Sequence, residues 1–321
     1  MLKQAFLLGF GVALLAGAAQ AQIQPGGPIQ IVVGYNAGGS TDIMARLIGD
    51  KLSESLGQPV IVVNKPGAAG QIASANVARA APDGHTILFT NMGPNAIAPS
   101  LNSQVQYDPV KDFAPIILAA TMPLAITSSV TDDIKDIKGL IAVAKANPDT
   151  LTYGSTGVGS ATHVAGELFK LQSGITATHV PYKGGAQVGP ATSTGEVSYS
   201  FQALPDAMSL VNAGRLEILA LTSAERSKLA PDLPTVRESG LADFDVDVWY
   251  GFLAPAQTPQ PVIERLNREL GEVLALPDVH AKLIALSMVP QHTTPEAFQR
   301  IIRDDVERWR KVVADAGIES Q

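Results

Sequence analysis

The glycine and hydroxyl residues after the first apolar run are the residues whose types and spacing could bind a ligand. The run, residues 29–33, has the β-branched composition of a buried strand, and an amphipathic helix follows the glycines. A helix that begins after glycines leaves backbone N–H groups unpaired, and such groups bind anions. An ordinary turn with a capped helix explains the same residues equally well, since Ser40, Thr41 and Asp42 are favoured N-cap types. The candidate ligand-binding residues of this stretch are Tyr35, Asn36, Ala37, Gly38, Gly39, Ser40, Thr41 and Asp42.

A second stretch of the same character, residues 154–160, follows a short predicted strand in the middle of the chain. A nucleotide-binding P-loop requires lysine at Ser160, and a dinucleotide fingerprint requires a small residue at Thr162. A hydrolase nucleophile elbow requires Gly-x-Ser-x-Gly, which surrounds neither Ser155 nor Ser160. The remaining interpretation is a set of backbone and hydroxyl donors at a helix N-terminus, which suits a carboxylate. Its candidate residues are Ser155, Thr156, Gly157 and Ser160.

His163 follows the second stretch closely and permits two interpretations. Paired with Ser155 or Ser160 it could activate a serine nucleophile, although the sequence shows no acid to orient it. The commoner role of such a histidine is a partly buried side chain in the first turn of its helix, and we keep it as a ligand-binding candidate. The five histidines lack His-x-x-x-His spacing and the chain has no cysteine, so we expect no metal site.

The composition indicates an exported globular protein. The chain has 321 residues, enough for two domains, and its net charge of −7 argues against a general nucleic-acid binder. Lys3, an apolar segment over residues 5–18 and the small residues Ala19 and Ala21 form a secretory signal, so we expect residues 1–21 to be removed. Little ATP or NAD is present outside the cytosol, and we therefore expect no cofactor.

The order of predicted elements indicates two α/β units. Strands alternate with helices from residue 29 to residue 90, which predicts right-handed crossovers and a parallel sheet. Ligands gather at the carboxyl ends of such strands, where the first stretch and Asn91 lie. A second unit of the same architecture follows, and we expect separate strands at 116–120 and 124–127 where the chain passes between the units.

Five separated motifs resemble, in order and spacing, the tripartite tricarboxylate transporter substrate-binding proteins, also called Bug or TctC-like receptors. The motifs are residues 35–42, 82–84, 153–163, 180–185 and 249–251, and the resemblance covers nearly the whole mature chain. It implies an α/β, two-domain periplasmic binding protein-like fold of type II, in which each domain is a mainly parallel sheet flanked by helices. We assign residues 1–21 to the signal peptide, 22–122 and 247–321 to domain 1 and 123–246 to domain 2, with hinges near 121–124 and 243–249.

The resemblance also implies a function. The protein would be a periplasmic receptor and not an enzyme, would act as a monomer, and would close on a small carboxylate that feeds TctA- and TctB-like membrane subunits. The first stretch and the Ser155 loop would hold the carboxylates by backbone groups, hydroxyls and ordered waters, without an arginine clamp. Lys183, Gly184 and Gln202 complete the candidate site. Relatives often have aspartate at position 202, which would suit an amino group, whereas glutamine favours a neutral-bodied mono- or dicarboxylate.

Two other functions remain open from the sequence. An exported ligand sensor with a signalling partner would have the same fold, so the chain alone does not separate it from a transport receptor. An exported hydrolase would use Ser155 or Ser160 together with His163. Neither alternative involves nucleic acid.

Overall fold

Strands and helices alternate along residues 27–182 and 184–318, which the computed structural model describes. The predicted signal peptide, residues 1–21, and Lys183 lie outside these ranges. The strands are β1 (Ile29–Val33), β2 (Val60–Asn64), β3 (Thr86–Asn91), β4 (Phe113–Ser129), β5 (Thr152–Ser155), β6 (Thr178–Pro181), β7 (Tyr199–Ala203), β8 (Leu216–Leu221), β9 (Asp247–Pro255) and β10 (Val289–Pro290). The helices are α1 (Ser40–Leu56), α2 (Gln71–Ala78), α3 (Ala98–Leu101), α4 (Ile137–Ala146), α5 (Ala161–Ser173), α6 (Gly185–Ser193), α7 (Leu204–Asn212), α8 (Gln260–Ala275), α9 (Pro277–Ala285) and α10 (Pro295–Asp315). None of the helices in the described ranges has both the length and the apolar character needed to cross a bilayer.

The first sheet combines the beginning of the chain with two later strands. Its order is β2-β1-β3-β9-β4, and β10 pairs with β4. The strands β1, β2 and β3 are parallel, whereas β9 is antiparallel to both of its neighbours. The apolar residues of β1 are buried, and α1 covers them with its own buried face, which includes Met44, Ile48 and Leu52. The alternation of apolar segments and amphipathic helices thus gives the predicted α/β fold, with a mixed sheet.

The second sheet has the order β8-β4-β7-β5-β6. The strands β5, β6 and β7 are parallel to each other, and β4 is antiparallel to β7 and β8. Aromatic rings fill the space between this sheet and α5. Phe169 of α5 makes edge contacts with Tyr199 and Phe201 of β7 at centroid distances of 6.2 and 5.9 Å. These contacts fix α5, and with it the loop that precedes α5, against the sheet.

One long strand, β4, belongs to both sheets. It pairs with β9 as far as Pro123, opposite Asp247, and with β7 from Leu124, opposite Ala203. The prediction of two separate strands at 116–120 and 124–127 was therefore wrong, because β4 is continuous. Proline has no N–H to donate to a sheet, and Pro123 is tolerated here because it lies where β4 changes its partner.

Buried Thr222 joins the two segments that cross between the sheets. Its N–H donates to the carbonyl of Leu124 over 3.0 Å, and the N–H of Val246 donates to the carbonyl of Thr222 over 2.8 Å. Its hydroxyl donates to the carbonyl of Val246 over 2.7 Å and accepts the N–H of Leu124 over 2.8 Å. The hinge positions proposed near 121–124 and 243–249 meet at this residue, and hinge motion itself stays a prediction.

Asp247 begins β9 at this junction and carries a partly buried carboxylate. Its Oδ1 atom is buried without a hydrogen-bond partner, and burial together with the charge of Asp245 raises the pKa of Asp247 to about 6. The folded-state pKa lies above the ordinary value of 3.8, so ionisation weakens the fold as pH rises from about 4 to above 6. We expect Asp247→Asn to raise the free energy of unfolding at pH 8 by up to about 3 kcal/mol and to change it little at pH 4.

Urea unfolding at the two pH values measures this difference. Exposed Asp243, four residues earlier, provides the control, since Asp243→Asn should change stability by less than about 0.5 kcal/mol at both pH values. An Asp247→Asn gain that is equal at pH 4 and pH 8 would show that the ionised carboxylate is not the source of the effect.

Candidate functional site

The register of the strands brings the carboxyl ends of both sheets to the junction. In the first sheet, Asn91 at the end of β3 pairs with Tyr250, which lies three residues, or about 10 Å, from the start of β9 at the junction. In the second sheet, Ala203 at the end of β7 pairs with Leu124, where β4 crosses. The loops that follow the parallel strands of the two sheets therefore open toward the same space.

The first loop, residues 34–39 between β1 and α1, presents an open helix N-terminus to this space. Residues 36–40 are exposed, and Gly38 has a φ of +86°, which favours glycine. The prediction that Ser40, Thr41 or Asp42 caps the helix was wrong, because the N-cap is Gly39 and no side chain caps it. The first N–H bonded within the helix is that of Ile43, to the carbonyl of Gly39 over 2.9 Å. The uncapped N-terminus is therefore a donor site for an anion.

Asp42 stabilises the first loop through hydrogen bonds to its carboxylate. Its carboxylate accepts the N–H of Gly38 over 2.9 Å, the amide of Asn64 over 2.8 Å and the guanidinium of Arg46 over 3.0 Å. Burial raises the pKa of Asp42, but these three donors outweigh it, and the pKa lies below its ordinary value. Asp42 is 2% exposed, so its role in the structure is to order the loop, and its charge is balanced by Arg46.

Tyr35 and Asn91, both candidates from the sequence, lie in contact. The Tyr35 hydroxyl donates to Oδ1 of Asn91 over 3.1 Å, and the N–H of Gly93 donates to the same oxygen over 3.0 Å. Directly after Asn91 and Met92, residues Gly93–Ile97 form a π-helical turn that leads into α3. Turns of this type occur often at functional sites, because they displace backbone groups from the regular helix.

The second loop, residues 156–160 between β5 and α5, uses many of its donors internally. Ser155 Oγ accepts the N–H of Gly157 over 3.1 Å, and Thr162 Oγ1 accepts the N–H of Thr156 over 2.9 Å. Ser160 caps α5 by accepting the N–H of His163 over 3.2 Å. The loop is thus a preformed turn, and its tip, Val158 at 41% exposure, faces solvent.

His163 contacts neither serine hydroxyl through its ring. Its Nδ1 accepts the N–H of Gly159 over 3.2 Å, which places the ring proton on Nε2. Ser155 instead lies 2.6 Å from Nε2 of His179, whose ring stacks on that of His163 with centroids 4.1 Å apart. Burial lowers the pKa of both rings, that of His179 to about 3, so both are neutral at pH 7. The predicted nucleophile pair of Ser155 or Ser160 with His163 is therefore not formed.

Two of the remaining candidates, Gly184 and Gln202, differ in burial. Gly184 is half-buried, precedes α6 and has a φ of +144°, and no side chain caps that helix. Gln202 is fully buried, with its Nε2 donating to Thr127 over 2.8 Å and to Ser200 over 3.2 Å. Its Oε1 has no partner, and it lies 3.1 Å from the point that a Cβ of Gly189 would occupy. Ligand contact by Gln202 therefore stays a prediction, as does that of Lys183.

A cavity of about 350 Å³ lies between the α3 region of the first lobe and the tip of the second loop. The first sheet's side contributes α3 and the turn before α2, and the second loop contributes its tip. A Cβ on Gly159 would stand 3.6 Å from Leu101, so the two sides lie close together here. The lining residues are Ala69, Gln71, Ala98, Leu101, Asn102, Gln104, Val158 and Gly159, and neither Ser40 nor Ser155 is among them.

His179 and Tyr153 are the main structural residues of the site that the sequence did not identify. They pair in register on β5 and β6, and their rings stack at a centroid distance of 4.8 Å. The Tyr153 hydroxyl donates to Glu167 over 2.5 Å, and Lys170 binds the same carboxylate over 2.8 Å. The pairing was visible only through strand register, because residues 153 and 179 are distant in sequence and His179 lies outside the five motifs.

Known proteins resemble this chain over most of its length. A family model described as the tripartite tricarboxylate transporter family receptor matches residues 44–318. Protein BugT of Bordetella pertussis (strain Tohama I) is 33% identical over 304 residues, which are 94% of this chain and 93% of BugT. A UPF0065 protein of Pseudomonas sp. (strain P51) is 34% identical over 317 residues, which are 98% of this chain and 94% of that protein.

Solved structures agree with these relatives. Rpa4515 of R. palustris, solved with adipate, is 33% identical and superposes with a TM-score of 0.83, covering 92% of this chain and 99% of that one. MatC of Rhodopseudomonas palustris, solved with bound malate, is 31% identical with a TM-score of 0.78, covering 90% and 99%. The periplasmic binding protein BugD is 33% identical with a TM-score of 0.79, covering 92% and 100%. This chain therefore belongs to the tripartite tricarboxylate transporter receptor family of TctC and Bug proteins, which are solute-binding receptors and not enzymes.

Proposed function

We propose that this protein is a periplasmic receptor for a small organic mono- or dicarboxylate. The observation that carries the proposal is the uncapped, exposed N-terminus of α1, which follows the carboxyl end of β1. A carboxylate there would accept the unpaired N–H groups of residues 40–42 and would lie at the positive end of the helix dipole. The adipate and malate in two related structures support this class of ligand.

The second loop would complete the site from the other side. Its tip lines a cavity together with Leu101 of the first lobe, and its turn is stabilised by Ser155, Thr162 and His179. Because so many donors of this loop are already bonded, ordered waters would carry part of the contact with the ligand. A ligand that binds both loops would favour the closed arrangement of two lobes, residues 22–122 with 247–321 and residues 123–246.

Family membership supports a proposal for the membrane partner. We propose that the closed receptor delivers its ligand as a monomer to TctA- and TctB-like subunits of a tripartite transporter. Family membership and the predicted signal peptide, residues 1–21, support this location and this role.

A thermal-shift screen with adipate, malate, succinate and short monocarboxylates tests the proposal. A ligand at 100 times its Kd stabilises the folded state by about 2.7 kcal/mol, which should raise the Tm by about 5 °C or more. Sugars and divalent cations serve as controls and should give no shift. A clear shift with a sugar or a cation, and none with any carboxylate, would contradict the proposal.

A further inference from the structure

Asp206 presents a carboxylate at the same junction without a described partner. It lies in the first turn of α7, directly after β7, whose end pairs with the crossing residue Leu124. A Cβ on Gly185, at the start of α6, would stand 3.0 Å from Cγ of Asp206. The glycine therefore leaves the room that this carboxylate occupies, at the edge where the parallel strands of the second sheet end.

The charge of Asp206 affects the pKa of Tyr250, a residue of the first sheet. Tyr250 belongs to β9 and pairs with Asn91, which in turn binds the hydroxyl of Tyr35. Burial raises the pKa of Tyr250, and the charges of Tyr35 and Asp206 raise it further. The charge of Asp206 is therefore felt at Tyr250, whose strand partner Asn91 binds the hydroxyl of Tyr35.

Nothing in residues 27–182 and 184–318 donates to the Asp206 carboxylate or forms an ion pair with it. Asp206 is exposed between the lobes, and the partial burial of its carboxylate raises its pKa with no donor to offset it. A bare carboxylate next to the site of an acidic ligand repels that ligand, unless the ligand brings a donor of its own. A hydroxyl or ammonium group on the ligand would supply a hydrogen bond to a charged acceptor, which is stronger than a bond between neutral groups.

We propose that Asp206 is a specificity-determining residue and selects carboxylates that carry a hydrogen-bond donor, hydroxyl or ammonium, on the carbon chain. The inference rests on the proposed receptor function. An aspartate at position 202 would suit an amino group of the ligand, but this chain has Gln202 there, buried and bonded to Thr127 and Ser200. In this chain Asp206 would take over that role. The site would discriminate against unsubstituted acids because they leave Asp206 unpaired when the site closes.

Succinate, malate and aspartate test the inference, because they share a four-carbon diacid frame and differ at one carbon by hydrogen, hydroxyl or ammonium. Calorimetry on the full mature protein should give malate or aspartate a Kd at least tenfold below that of succinate. Comparing malate with aspartate then shows whether the site prefers a hydroxyl or an ammonium group. In Asp206→Asn and Asp206→Ser the preference should fall below threefold, with succinate bound as well as or better than before. Asp232→Asn, an exposed aspartate elsewhere in the second lobe, should keep the wild-type preference.

The variants and ligands together separate the role of Asp206 from the receptor function itself. Two variants are used because the loss of an acidic residue from the first turn of α7 can weaken the helix slightly, and thermal unfolding confirms that each is folded. If succinate or adipate binds as tightly as the substituted acids, or if the preference survives in both variants, the role of Asp206 is refuted and the receptor proposal stands. If no carboxylate binds at all, the receptor proposal itself fails.

Discussion

Gly39→Asp should abolish carboxylate binding and at the same time raise the stability of the unliganded protein. Gly39 is the N-cap of α1 and has φ −78° and ψ 165°, a conformation that aspartate adopts readily as an N-cap. A Cβ at this position would meet only the carbonyl oxygen of Asn36, at an ordinary contact distance of 3.6 Å. The new side chain would therefore bond the free N–H groups of the first turn without distorting the loop.

The gain in stability and the loss of affinity have the same cause. The capping carboxylate would satisfy the donors and the dipole of α1, which stabilises the fold by about 1 kcal/mol. It would occupy the place of the ligand carboxylate and repel it, so we expect the Kd to rise at least about 100-fold, or about 2.7 kcal/mol. Calorimetry gives the affinity and thermal unfolding without ligand gives the stability.

Gly39→Ala is the matched control, because alanine adds a Cβ without a capping group. Its Kd should stay within threefold of wild type and its Tm should change little. Unchanged affinity in Gly39→Asp, together with a raised Tm, would show that the aspartate caps the helix and that the ligand binds elsewhere.

Ser155→Ala and His179→Phe should each weaken carboxylate binding at least tenfold, although neither residue needs to touch the ligand. Ser155 holds the N–H of Gly157 over 3.1 Å and lies 2.6 Å from His179. Its removal leaves the partly buried N–H of Gly157 and ring nitrogen of His179 unpaired and loosens the turn, at a cost of about 1–3 kcal/mol in stability. Phenylalanine at 179 would keep the ring stack on His163 and lose only the bond to Ser155.

The double variant separates a shared role from two independent ones. Since the two side chains act through one hydrogen bond, the double variant should bind no more than about threefold more weakly than either single variant. Ser128→Ala removes another buried hydroxyl of the second sheet, which donates to Ile134 over 3.1 Å, and should lower stability without changing the Kd. Fully additive losses in affinity, or an equal loss in Ser128→Ala, would mean that general destabilisation and not the second loop weakens binding.

The sequence predicted the elements that position the site better than the contacts within it. Apolar runs and glycine punctuation located β1, the first loop and α1, because local composition determines such a strand, turn and helix. The same reasoning placed the cap on Ser40, Thr41 or Asp42, whereas Gly39 is the cap. Asp42 is a favoured N-cap type, but its carboxylate accepts hydrogen bonds from Asn64 and Arg46 and is thereby placed to accept the N–H of Gly38.

Long-range pairing explains the other differences. A proline within an apolar segment normally ends a strand, and only the change of partner at Pro123 lets β4 continue. The contact of Ser155 with His179 depends on the register of β5 with β6, which no spacing in the sequence reveals. The approach of Asp206 to Gly185 likewise depends on the packing of α6 beside α7.

The central claim is that the amides of α1 and the second loop hold the carboxylates of one ligand. The most direct test is the crystal structure of the protein purified without refolding and crystallised with the acid that gives the largest thermal shift. We expect one carboxylate within about 3 Å of the N–H groups of Ser40 and Thr41, and the other end of the ligand bonded, directly or through water, to residues 155–160. A ligand bound away from residues 36–42, with those N–H groups facing solvent, would contradict the claim.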